Sequence, residues 1–313
     1  MTQIYLQSSD EERKSLSQRT RSGDMTVSNK EVAEAFAIDP HYDPYSIPLD
    51  KVDPSHPSLF LNDTLWPHFE RLRAEDPVHY HEDSMFGPYW SVTKYKDCMY
   101  VDTHHDLFSS QQKKGGIALG GVPDREDEYT LPMFIQEDPP KHDEQRKVVT
   151  PLFTPTQLAD LEPLIRERAS YILDNLPRNE EFNWVRHVSV ELTAQMLATL
   201  FDVPQEDRMK LIEWSDTIQN LGDPDAFESP EEGFKVLFEC LAYFQEYYEA
   251  RKKEPPKFDL ISMLAHDPAT NNMDAQELLG NIMLLIVAPW HNSPVRDHWT
   301  LGIHWHLQRR MDW

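Results

Sequence analysis

The sequence predicts a mainly α-helical fold with a small antiparallel β-sheet, and three observations carry that expectation. Apolar stripes at helical spacing recur through the second half of the chain, over residues 158–176, 185–200, 234–244 and 274–288. Two short segments near residue 80 alternate their side chains on either side of Gly87-Pro88, as a hairpin does. The 313 residues are 39% hydrophobic, with eight Trp, twelve Tyr and fourteen Phe, enough to bury a core in one large domain or two small ones.

Residues 1–30 are polar and charged and read as a leader without a packed core. Residues 31–38 (EVAEAFAI) spell a short helix. Pro40, Pro44, Pro48, Pro54 and Pro57 fix φ and remove donors, which predicts an extended strap over residues 39–57, with the folded domain following from residue 58. Leu65, Phe69 and Leu72 share one face of a helix over residues 62–75. Residues 77–81 and 90–93 form the hairpin, and residues 95–102 a short helix. Gly115, Gly116, Gly120 and Gly121 mark residues 111–134 as a long loop, and loops of that length are often functional.

Thr154 as N-cap, Pro155 at the first helical position and Gln157 at the third open the next helix. Its stripe is Leu158, Leu161, Ile165, Ile172 and Leu176, with Pro163 kinking the early turns. Val185, Val188, Leu192, Met196 and Leu200 form a second stripe; Phe234, Leu237, Phe238, Leu241 and Phe244 form a third. The second half of the helix over residues 274–288 is apolar all round, which predicts a buried central helix.

Charge excludes one class of partner. Against 54 acidic residues stand 30 Lys and Arg, a net charge of −24, so the basic footprint that nucleic acid requires is absent. Cys98 and Cys240 are the only cysteines, too few for a disulfide framework or a zinc site built on CxxC pairs. The N-terminus has no apolar signal region, and the longest apolar run, residues 282–288, is far short of a membrane span. These features predict a cytoplasmic protein without a membrane span.

Residues 138–155 (DPPKHDEQRKVVTPLFTP) hold the strongest local signal. His142 and Arg146 lie at i and i+4 and share a helix face, where a cationic Arg beside a His donor suits a carboxylate or phosphate. Taken alone, such a pair is more often a solvated helix face than a binding site. The whole segment, however, resembles the C-helix region of bacterial cytochrome P-450 enzymes, in which DPP-x-H-x-x-x-R precedes an F-[ST]-P helix start. Other segments are similar to that family in the same order: residues 72–78 (LRAEDPV), 90–95 (WSVTKY), 106–110 (DLFSS), 258–264 (FDLISML) and 277–281 (ELLGN). The resemblance covers about residues 60–287, and its details look most like the terminal alkane and fatty-acid hydroxylases.

That resemblance implies a cytochrome P-450 fold and a haem b cofactor whose propionates are bound by His142 and Arg146. It implies a monooxygenase that inserts one oxygen atom of O2 into an unactivated C–H bond of a hydrophobic small molecule, with electrons from a ferredoxin and its reductase. Ile117 and Leu119 in the loop, with Leu285 and Val287 in the central helix, are the candidate substrate-pocket residues; ordinary packing is an equal account of each. No catalytic side chain is identifiable.

The chain departs from the family pattern at residue 288. Where the resemblance implies a Gly-rich turn followed by an acid and a Thr, the sequence has Ala288-Pro289-Trp290-His291-Asn292-Ser293. Pro289 is expected to remove an intrahelical hydrogen bond and clash with the preceding turn, at a cost of about 3 kcal/mol in a helix interior. The family's Glu-x-x-Arg helix and its Cys-containing loop do not appear, so the fold is expected to be truncated in or just after the central helix. Haem iron in this family takes a Cys thiolate. Neither Cys98, on the short helix, nor Cys240, on an apolar stripe where Cys acts as a small hydrophobe, is expected to replace it, so metal ligation by this chain is not expected.

Residues 288–313 hold four of the eight Trp and four of the fourteen His, with no Lys or Glu. His291, His298, His304 and His306 have ligand types for zinc or copper, which leaves a His-tail metal-binding protein as an alternative. A non-enzymatic acidic helical remnant is another. The abrupt change in composition leads us to expect a shift of reading frame near codon 288. Resequencing the gene and translating all frames should reveal a Gly-rich acid-Thr segment and a later Cys loop out of frame; their absence from both other frames refutes the shift.

Overall fold

A computed structural model describes residues 37–114, 116, 117, 119, 131–221, 227 and 230–291, with backbone alone for 230, 231 and 288–291. The predicted leader, all but the end of the helix expected over residues 31–38, the middle of the loop and the tail from residue 292 lie outside them. The chain divides into two compact units: residues 1–126, 135–138 and 222–228, and residues 127–134, 139–221 and 229–313.

In the first unit the Pro-rich strap is not continuously extended. It carries two 3-10 turns, Pro44–Ser46 and Leu49–Lys51, and Pro57 opens helix α1 (Pro57–Leu61). Proline suits the first position of a helical turn, where its missing N–H would have no partner anyway, and the Asp43 carboxylate caps the first turn by accepting from the Tyr45 N–H at 3.0 Å. Arg71 fastens the strap to helix α2 (Trp66–Glu75). It is buried, donates to the carbonyls of Pro44 and Ile47, and pairs with Glu75 at 3.3 Å. The helix expected from residue 62 starts four residues later because Asp63 adopts a left-handed φ of 54° after α1.

Strands β1 (Val78–His81) and β2 (Tyr89–Val92) pair antiparallel, with His79 opposite Ser91 and His81 opposite Tyr89. The faces are inverted relative to a usual hairpin. Val78, Tyr80 and Trp90 face outward, Trp90 at 61% exposure, while His79, His81 and Ser91 are buried. Hydrogen bonds make this burial tolerable. His79 Nδ1 meets Asp76 at 2.7 Å, His81 Nε2 meets the Ser91 hydroxyl at 2.8 Å, and the Tyr89 hydroxyl donates to Asp53 at 2.6 Å. The His81 ring also stacks on Tyr89 at 4.3 Å. Helix α3 (Tyr95–Thr103) follows with no buried residue.

The second unit is helical. Helix α4 (Lys141–Val149) leads through a 3-10 turn (Thr150–Phe153) into α5 (Pro155–Asp174), where the Thr154 hydroxyl accepts from the Gln157 N–H as expected. A π-helical turn (Val185–Val190) runs into α6 (Glu191–Phe201). Then come α7 (Arg208–Asn220), α8 (Pro230–Arg251), α9 (Leu260–His266) and α10 (Ala275–His291).

The π turn splits the predicted second stripe. A wider turn shifts the phase of the side chains, so Val185 is exposed while Val188, Leu192 and Met196 join Ile172 in a small core beneath α5, and Leu200 enters the main core. Phe238 of the third stripe is likewise exposed, while Leu237 and Phe244 are buried.

Helix α10 is the buried central helix that its composition predicts. Leu278, Leu279, Ile282, Met283, Leu285 and Ile286 are all buried in the main core, each contributing about 1.5–3 kcal/mol of apolar burial. Against expectation, α10 continues through Pro289 to His291. Pro289 forgoes one hydrogen bond close to the helix end, where few later turns depend on it, and the buried turns before it hold the axis. At Gly280 the helix meets the backbone of residues 131–132, where a Cβ would lie 2.0 Å from the Pro132 carbonyl oxygen. Among the described residues no helix is long and apolar enough to cross a membrane.

Two predictions follow from packing. Burial pushes the His81 pKa down from 6.5 to about 4, with His79 adding and Asp53 and Asp76 opposing. The folded chain therefore resists protonation that the unfolded chain accepts. Stability present in full above pH 6.5 is lost as pH falls toward 4, by about 3 kcal/mol. Urea unfolding across that range should show the loss, and His81→Gln should reduce it; parallel curves for both proteins would contradict the assignment. Gly280→Ala should lower stability by about 1–3 kcal/mol, since Pro132 must move. An unchanged urea midpoint would show that the contact is loose.

Candidate functional site

The candidate site is built on α4. Gln145, Val148 and Val149 form its buried face. His142 and Arg146, one turn apart, lie on an adjoining face, His142 with 23% of its side chain exposed and Arg146 exposed. Asp143 and Glu144 in the first turn, with Arg146 and Lys147 in the last, match the helix dipole. The His142 Nδ1 is engaged by Asp143 at 2.8 Å, which leaves Nε2 as the nitrogen available to another group. The Arg146 guanidinium makes no ion pair or hydrogen bond with any described residue. This arrangement, an exposed guanidinium fork one turn from an imidazole, can bind carboxylates through charge-assisted hydrogen bonds.

Helix α10 supports α4. Glu277 Oε1 accepts from the buried Gln145 Nε2 at 2.8 Å and pairs with the Lys141 ammonium at 2.9 Å. One turn later, the Asn281 side chain accepts from the Phe134 backbone N–H at 2.8 Å, and the Phe134 ring lies 6.3 Å from that of His142. No role was legible in the sequence for Glu277, Asn281, Gln145 or Phe134. The available signal was Gly280-Asn281 interrupting an apolar run.

In the first unit, Asp138 of the Asp-Pro-Pro segment secures the start of the loop. It accepts from the Ser109 hydroxyl at 2.7 Å and the Ser110 N–H at 3.3 Å, and pairs with Lys114 at 3.7 Å. The Ser109 hydrogen bond, followed by the Ser110 N–H and Lys114, holds the Asp138 carboxyl below the usual range. Ile117 and Leu119 are exposed in this unit. In the other, Leu285 is buried in the main core and Val287 half-buried at its edge.

The cysteines are placed for packing rather than ligation. Cys240 is fully buried, its thiol 3.8 Å from the Met283 sulfur, and burial pushes its pKa up, against the thiolate form a metal requires. Cys98 is exposed on α3 and donates to the Val92 carbonyl at 3.2 Å. Among the described residues no group of three His, Cys, Asp or Glu is arranged to hold a metal ion. The histidine-rich tail considered as a metal site lies outside them, apart from the backbone of His291.

No protein-family model matches the chain. Individual proteins do. Linalool 8-monooxygenase of Pseudomonas putida is 30% identical over 245 residues, 76% of this chain and 60% of that enzyme. The methyl-branched lipid omega-hydroxylase of Mycobacterium bovis is 25% identical over 244 residues, 75% of this chain and 56% of that enzyme. Among solved structures, CYP153D17 from Sphingomonas superposes with a TM-score of 0.67 at 44% identity, covering 77% of this chain and 60% of its own. The chain thus spans somewhat under two thirds of the length of the proteins it matches. On helix order, hairpin, sequence identity and superposition together, the chain belongs to the cytochrome P450 family.

Proposed function

We propose that this chain is the haem-carboxylate-binding part of a monooxygenase that hydroxylates the terminal carbon of an alkane or fatty acid. When bound, haem b supplies the activation of O2 and the insertion of one oxygen atom into an unactivated C–H bond. The observation that carries the proposal is the pair on α4: Arg146 without an ionic partner among the described residues and His142 with Nδ1 taken by Asp143, in a segment whose buried face is anchored to the central helix. His142 and Arg146 would hold the two propionates.

Terminal chemistry is supported by similarity to an omega-hydroxylase of methyl-branched lipids and by the motif resemblance to alkane and fatty-acid hydroxylases. The motif resemblance nominates Ile117 and Leu119 in the first unit, and separately Leu285 and Val287 in the second, as apolar residues for an aliphatic substrate. Electrons would come from a ferredoxin and its reductase, and the protein would work in the cytoplasm. The thiolate that completes such a haem site would not come from Cys98 or Cys240, given their placement.

The test is optical. The chain should bind haem more tightly than haem dimethyl ester, whose carboxylates are blocked. Arg146→Ala should lower haem affinity by about tenfold or more, the worth of one charge-assisted hydrogen bond, while leaving the ester unaffected. Equal affinities for the two ligands in the unaltered chain would remove His142 and Arg146 from this role.

A further inference from the structure

We infer that Glu277, Gly280 and Asn281 on α10 form a positioning platform for the anion-binding pair, with Glu277 setting the orientation of the helix that carries His142 and Arg146. The inference rests on the assignment of that pair to the haem carboxylates. Neither Glu277 nor Asn281 belongs to the pair itself; both would act through α4 and Phe134.

Three observations converge on one turn of helix. Glu277, Gly280 and Asn281 stand at i, i+3 and i+4, so they share a face. The single oxygen Oε1 of Glu277 meets Lys141 at 2.9 Å and Gln145 at 2.8 Å, two points one turn apart on α4. Two anchors one turn apart fix both the slide of α4 along its axis and its roll about it. His142 and Arg146 each follow an anchor by one residue, about 100° further round the helix. Their direction is therefore set by the anchored face, and release of Glu277 would let both side chains turn together.

The second and third contacts fix the other side of His142. Asn281 is completely buried in an otherwise apolar stretch, a costly place for an amide unless it is hydrogen-bonded. Its oxygen takes the Phe134 N–H at 2.8 Å, and its nitrogen lies 3.1 Å from the Met273 sulfur. Gly280 leaves room for the backbone of residues 131–132 to lie directly on the helix. That contact and the Asn281 hydrogen bond hold Phe134 where its ring meets His142 at 6.3 Å. The imidazole is thus held through its own helix and by a neighbouring ring, and both supports lead back to the same turn of α10.

The test uses the full chain titrated with haem and with haem dimethyl ester, each followed at the Soret band. A merely structural brace would weaken both ligands alike; a positioning role weakens only the ligand with free carboxylates. Glu277→Ala should lower haem affinity by about tenfold and ester affinity by less than about twofold. Glu277→Gln keeps the acceptor oxygen and should stay within about threefold of the unaltered chain. Should Glu277→Ala fail to fold by circular dichroism, Gln145→Met removes one anchor at similar volume and should show the same selective loss. Parallel weakening of both ligands, or no change, overturns the inference. If Arg146→Ala abolishes the preference for free haem and Glu277→Ala leaves it intact, the platform fails and the pair survives. If the unaltered chain has no preference, both fail.

Discussion

A helix that is apolar on every side has one stable place, the interior of its unit, and α10 obeys that constraint. Six of its side chains, from Leu278 to Ile286, lie in the main core with residues of α4 and α6 to α9. Placing α10 at the centre dictates what its few exceptions can do. A buried Asn must find a hydrogen bond, and Asn281 finds the Phe134 N–H. A Gly at a tight crossing admits another backbone, and Gly280 admits Pro132. Glu277, at the more exposed end, takes the cationic and amide partners that α4 offers. The departures from apolar character are thus the points where the central helix grips other segments.

The first unit solves the same problem by different means. Its hairpin turns histidines and a serine inward, and its aromatics outward. Beside the buried Val52, Leu59, Leu65 and Leu72 of this unit, the inward face of the hairpin is held by three hydrogen-bonded pairs, His79 with Asp76, His81 with Ser91 and Tyr89 with Asp53, joined by ring contacts of His81 with His79 and Tyr89. Such a network is specific in geometry but depends on the protonation state of its members. The core of the second unit, built from aliphatic side chains with Phe201, Trp214 and Phe244, has no such dependence.

The candidate site on α4 shows how a proposed binding pair can share a short helix with packing. Gln145, Val148 and Val149 commit one face to the core. The next face carries His142 and Arg146, and nine residues suffice for both because the two faces are separated by only one residue step. Family membership gives this pair its chemical context, while the anchoring of the helix gives it a fixed direction. The cysteines contrast with it: one serves the core and the other bonds a strand carbonyl.

Much of this was legible in the residues. Local signals determined the capped start of α5, the hairpin, the buried character of α10 and the candidate pair on α4, because caps, strand alternation and helical periodicity act over a few residues. Tertiary structure decided the rest. The π turn moved Val185 out of its stripe, and Asp63 delayed α2. The strap's prolines opened helical turns instead of an extended chain, and α10 ran through Pro289. Pairing between residues 132 to 147 positions apart, as between Gln145 and Glu277 or Phe134 and Asn281, leaves no periodic trace in sequence. It depends on which faces meet once the apolar helix is buried, a property of the packed unit rather than of any segment within it.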